Sequence, residues 1–113
     1  MRYAKFGSTD MVVSEIALGT WGIGGADWDD NSEDTRLDAI RSAVESGINF
    51  IDTAPAYKGG VAESYVGKVI SSMGIRKELY LVTKCGTEII DVKWFAMSKN
   101  KYYNSKDEAS KML

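Results

Sequence analysis

Histidine is absent from the 113 residues, so no imidazole takes part in whatever chemistry this stretch of chain carries. A single cysteine cannot close an intrachain disulfide. One proline, set beside an aromatic content of 11%, argues against a Pro-rich linker or a disordered tract. Neither sign of charge dominates: 14 Lys and Arg face 16 Asp and Glu, for a net charge of −2, which leaves no basic footprint for nucleic acid or anionic lipid. No run approaches the ~20 apolar residues of a membrane span, and Met1 to Lys5 leads into no apolar signal region. These absences lead us to expect a cytoplasmic chain with no nucleic-acid partner, no membrane partner and no metal site. What remains, at 44% hydrophobic, fits one small domain.

Along that domain, strand-like and helix-like segments alternate, as they do in βαβ units with a parallel sheet. Arg2 to Phe6, the turn cluster Gly7-Ser8-Thr9-Asp10 and Met11 to Val13 read as a hairpin. A buried strand is expected over Ser14 to Thr20, followed by the glycine- and tryptophan-rich loop Trp21 to Trp28. Asp30 and Glu33 have the spacing of a capping pair. Leu37, Ile40, Ala43 and Val44 then give a helical stripe that Gly47 would stop. The pattern repeats: strand Ile48 to Thr53, loop Ala54 to Gly60, a helix facing inward through Ala62, Tyr65, Val66, Val69 and Ile70, and a strand from Leu79 to Lys84. Cys85 to Tyr103 is weakly patterned, and Ser105 with Glu108 announces a further helix near the end of the chain. An unfinished helix and three apolar strands lead us to expect the opening of a larger parallel α/β structure.

Thr20, Asp52 and Lys84 each close an expected strand, and in parallel α/β architectures the strand ends gather on one face, where active sites are built. Side chains alternate along a strand, so Ile48, Phe50 and Asp52 share a face, as do Tyr80, Val82 and Lys84. Asp52 and Lys84 can therefore meet as an ion pair, with Tyr57 on a loop able to fold over them. A phenol, with a pKa of about 10, donates a proton poorly near neutral pH unless a cation stabilises its phenolate. Lys84 can supply that charge while Asp52 orients the ammonium, giving a Tyr–Lys acid suited to protonating an oxygen as hydride reaches the adjacent carbon. Plainer readings stand beside these: Asp52 as a turn residue, Lys84 as a solvated charge, Tyr57 as a cover for apolar surface. Trp21 and Trp28 either line a substrate pocket or cap the core, and Cys85 reads as an inert buried thiol.

Two patterns mislead. Gly22-Ile23-Gly24-Gly25-Ala26-Asp27 lacks the last glycine of the dinucleotide fingerprint. Tyr80 to Lys84 has the Tyr-x-x-x-Lys spacing of short-chain dehydrogenases but falls on an expected strand, whereas that motif needs a helix.

Five segments, in order, resemble the N-terminal part of the aldo-keto reductase family. They are Arg2-Tyr3 with Phe6-Gly7-Ser8-Thr9, Val13 to Trp21, Gly47 to Tyr57, Glu63 to Lys68, and Val82 to Gly86. The resemblance implies the N-terminal part of a (β/α)₈ TIM barrel, with a leading β-hairpin and about three β/α units. A complete barrel runs to about 250 residues, of which this chain would hold roughly a third. It further implies reduction of small aldehydes and ketones to alcohols with NADPH, NADH being the other candidate. Carried over by position, Asp52, Tyr57 and Lys84 would be catalytic. Gly19, Thr20, Trp21 and Asp52 would border the cofactor, and Trp21, Trp28 and Tyr57 would meet the substrate. The family's catalytic histidine has no counterpart, and from Thr87 onward the match is loose, so residues 87–113 are expected as a loop and the start of a helix. The 113 residues alone are accordingly expected to be inactive. Two other readings fit the same resemblance: a binding subunit like the β subunits of potassium channels, and a non-functional truncated product.

Overall fold

Two valines and a tight turn make the first element. In the computed structural model, which describes residues 1–25 and 30–85, β1 (Tyr3–Lys5) pairs antiparallel with β2 (Val12–Ser14), Ala4 standing opposite Val13. The second arm lies one residue later than the sequence suggests. The Gly7 to Asp10 turn closes through Phe6 N–H to the Met11 carbonyl at 2.9 Å, with the Thr9 hydroxyl donating to the Phe6 carbonyl. Asn49 then fastens the hairpin to the rest of the fold: its side-chain oxygen accepts from Ser14 N–H at 2.7 Å, and its amide nitrogen donates to the Val12 carbonyl at 3.0 Å. Tyr3 donates to the Gly47 carbonyl, and the Phe6 ring meets that of Phe50 edge-on at 5.3 Å. The hairpin thus sits where the central strand begins.

Three parallel strands follow in the order β3 (Leu18–Gly19), β4 (Phe50–Asp52), β5 (Tyr80–Val82). Their register aligns Gly19 with Asp52 and Asp52 with Val82, so the C-terminal ends are level. All three are shorter than expected, and β3 most of all. The Ser14 hydroxyl donates to the Ile16 carbonyl at 2.7 Å, turning the chain between hairpin and sheet and leaving Ile16 61% exposed.

Helix α1 (Glu33–Glu45) begins at Ser32, whose hydroxyl accepts from Thr35 N–H. The expected Asp30 cap is therefore displaced by two residues. Acidic Glu33 and Asp34 occupy its positive end, as the helix dipole favours. Gly47, at φ +93°, ends the helix with bonds back to Val44 and, through Ile48, to Ala43. Helix α2 (Val61–Met73) buries Ala62, Val66, Val69 and Ile70, leaves Tyr65 only partly covered, and stops at left-handed Gly74. Both helices cover the side of the sheet that Ile51 faces, where Ile40, Ile51, Val66, Val69, Ile70 and Leu79 form the core. Period-two alternation sends Phe50 and Asp52 to the opposite side.

Trp28 and everything expected beyond Cys85, including the Ser105–Glu108 capping pair and a third β/α helix, lie outside the described residues. Cys85 is exposed rather than buried, since it lies beyond the end of β5. Among the described residues no helix is long and apolar enough to cross a membrane.

Candidate active site

Strand parity and level strand ends decide which side chains meet. Asp52 closes β4 on the side away from the helices, and Lys84 lies two residues past Val82, its partner in register. The Lys84 Nζ stands 2.9 Å from both carboxylate oxygens of Asp52 and 3.0 Å from the Thr53 carbonyl. It also lies 4.9 Å from the centre of the Tyr57 ring. The Tyr57 hydroxyl donates to Asp52 Oδ2 at 3.4 Å. The three residues singled out from the sequence therefore converge on one point at the strand ends.

Tyr57 reaches that point through the backbone of its loop. Its N–H bonds the Ala54 carbonyl, and Lys58, Gly59 and Gly60 then run through three successive left-handed conformations into α2. The turn following β3 packs on this loop. A Cβ at Gly24 would stand 3.3 Å from those of Ala62 and Lys58, a contact tight enough to favour glycine.

Asp52 and Lys84 keep 41% and 47% of their side-chain surface exposed, so the pair opens onto solvent on the side of the sheet that the helices leave bare. Lys84 is held above the usual lysine value of 10.5, first by its hydrogen bond to Asp52 and second by one to Tyr57. It therefore stays an ammonium through the neutral range and acts as a fixed charge.

The other expected residues divide. Thr20 is completely buried, and both its N–H and its hydroxyl donate to the Asp52 carbonyl, at 3.0 and 2.9 Å. Its side chain holds the end of β4 in place. Gly19, aligned with Asp52, has open space where a Cβ would stand, and Trp21 is 49% exposed on the adjoining turn. Trp28 lies outside the described residues. Among those residues no group of three or more acidic, cysteine or histidine side chains is placed to hold a metal.

Sequence reading missed Arg36. It is 8% exposed on α1, and its guanidinium donates to the carbonyls of Gly22 and Ile23 at 3.2 Å, holding the Trp21 to Gly25 turn. The available signal was its place four residues before Ile40, on the helix face that packs inward.

The Aldo/keto reductase family model matches residues 15–113. Among curated proteins the chain is similar to "Aldo-keto reductase YhdN" of Bacillus subtilis, 45% identical over 84 residues, covering 74% of this chain and 25% of that protein. It is also similar to the "NADH-specific methylglyoxal reductase" of Escherichia coli, 40% identical over 88 residues, covering 76% of the chain and 27% of that protein. Among solved structures, the holo form of an aldo-keto reductase from Bacillus halodurans superposes with a TM-score of 0.70 at 30% identity, covering 82% of the chain and 28% of that protein. The chain thus spans about a quarter of the length of these relatives. With its hairpin, parallel strands and two helices it has the architecture of the N-terminal portion of a (β/α)₈ barrel, and it belongs to the aldo/keto reductase family.

Proposed function

We propose that this chain supplies the proton-donating part of an NAD(P)H-dependent carbonyl reductase, which converts small aldehydes or ketones to alcohols. The observation that carries the reading is the convergence of the Lys84 ammonium, the Asp52 carboxylate and the Tyr57 hydroxyl.

The strand ends fit a flat cofactor ring. Gly19 leaves its backbone open to close approach beside Asp52, and exposed Trp21 offers an aromatic wall next to it. Gly19, Trp21 and Asp52 are the residues we assign to that border, with buried Thr20 behind them holding the end of β4. Those residues would hold a reduced nicotinamide, which when bound would supply hydride to the carbonyl carbon.

Tyr57 gives its phenolic proton to the carbonyl oxygen, completing the alcohol. Its bond to Asp52, at 3.4 Å, is long enough to yield easily to a substrate oxygen. Lys84 balances the phenolate left behind, and Asp52 keeps the ammonium aimed at the ring; solvent then returns the proton to Tyr57. Trp21, Trp28 and Tyr57 are assigned to the substrate side. NADPH is the cofactor we assign. NADH is the other candidate, in keeping with the name of the Escherichia coli relative.

A chimera tests this. Residues 1–85 replace the matching segment of the Escherichia coli NADH-specific methylglyoxal reductase, and oxidation of NADH and of NADPH by methylglyoxal is followed. We expect turnover, and a loss of about 10²–10⁴-fold in kcat for Tyr57→Phe, the usual worth of a general acid. Full turnover by the Tyr57→Phe chimera overturns the assignment.

A further inference from the structure

We propose that Glu63 is a positioning residue for Lys84, acting through Thr83 to lock the strand end that carries the ammonium to the loop and helix that carry Tyr57. The proposal rests on the reading of Asp52, Tyr57 and Lys84 given above and adds a residue that lies on the other side of the sheet.

The Thr83 hydroxyl donates to Glu63 Oε1 at 2.6 Å. That length belongs to the strong, charge-assisted bonds between a hydroxyl and a carboxylate, about 2.5–2.7 Å. Thr83 and Lys84 are consecutive, so in extended chain their side chains leave on opposite faces. Lys84 turns to Asp52 and the Thr53 carbonyl, whereas Thr83 turns to the helical side and meets the first turn of α2. The chain is thereby gripped from both sides just past Val82, where β5 ends. The last backbone grip is the Val82 carbonyl, which accepts from Thr53 N–H at 2.8 Å; past it, without the Thr83 bond, the lysine would be fixed by the tip of a long, flexible, half-exposed side chain, a costly way to hold a charge in register.

Glu63 is also firmly joined to the other partner. Ala62 N–H reaches back to the Tyr57 carbonyl, and Ser64 N–H to that of Gly60, so two overlapping turns tie Tyr57 to the start of α2 that carries Glu63. The route from phenol to ammonium thus runs Tyr57, α2 start, Glu63, Thr83, Lys84, and it closes into a ring through Asp52. Acidic side chains in a first helical turn also favour the helix dipole. That simpler role depends on charge and not on an acceptor aimed at Thr83, so the two are separable.

The test is the titration of Lys84 in the 113-residue chain, followed by NMR of its side-chain Cε, with thermal melting recorded alongside. Among the described residues the polar groups facing Lys84 are Asp52 from β4, Tyr57 from the loop and the Thr53 carbonyl. In the unaltered chain we expect Lys84 to titrate above 10.5, held up first by its bond to Asp52. We expect Glu63→Ala and Thr83→Val each to shift it downward, Thr83→Ser, which keeps the donor, to leave it high, and Glu63→Gln, which keeps an acceptor without its charge, to lower it less than Glu63→Ala does. A high Lys84 value in both Glu63→Ala and Thr83→Val overturns the clamp. So does a drop in Glu63→Gln as large as in Glu63→Ala, because charge alone would then be at work. Asp52→Asn separates the two levels: a drop there with none in Glu63→Ala leaves the site reading standing without the clamp. No drop in Asp52→Asn removes both.

Discussion

Asp52 sends its backbone carbonyl to Thr20 and its carboxylate to Lys84 and Tyr57, so one residue fixes a strand end and orients a charge. The Asp52–Lys84 meeting was legible beforehand because period-two alternation is a property of the backbone, whatever the neighbours are. Tyr57 was not legible in that way. Its place depends on a loop whose left-handed Lys58 no residue preference announces, so the sequence offered it only as a loop residue able to fold over the pair. Arg36 was hidden for a related reason: its partners are loop carbonyls, and sequence patterns mark side chains. The charge on Lys84 has a consequence for stability. Its folded value is raised, so the stabilisation is complete below the unfolded value near 10.5 and is lost as pH climbs through the folded one. Urea midpoints for the unaltered chain should therefore fall on going from neutral pH to above 10.5, and those of Lys84→Met should fall less. Equal falls would show that Lys84 gains nothing from its partners.

The start of α1 was harder to read than its end, and its chemistry explains why. Residues 30–35 read Asp-Asn-Ser-Glu-Asp-Thr, which offers several capping side chains in a row. The choice among them is made by where the core needs Ile40 to point, which fixes the first turn at Ser32. The far ends posed no such problem, because Gly47 and Gly74 both adopt positive φ where a helix must stop. Ser32→Ala should cost about 1 kcal/mol of stability, and Asp30→Ala close to nothing, as read from urea unfolding. Equal losses would return the cap to Asp30.

The described part of the barrel has a cavity of about 390 Å³ between α2 and β5, lined by Thr53, Val66, Ile70, Leu81 and Arg76 among others. Strand β5 is the edge of the described sheet, so this space is open to solvent on one side. The hydroxyl of Thr53 is buried there with no hydrogen-bond partner among the described residues. Parallel sheets of this kind were legible in outline from alternating segments, whereas the packing of the outer face depends on side chains that no local pattern specifies. The purified 113-residue chain should accordingly show no carbonyl reduction with either nicotinamide cofactor in a spectrophotometric assay. Measurable turnover would mean that these residues suffice on their own.

Every hydrogen bond drawn above to Lys84, Tyr57 or the Asp52 carboxylate comes from a residue between positions 52 and 84. A ribosome makes this stretch in one continuous passage. Among the described residues, the side chains that meet at the acid are therefore encoded as one contiguous instalment of translation, with Thr20 alone reaching in from outside it to hold the Asp52 carbonyl.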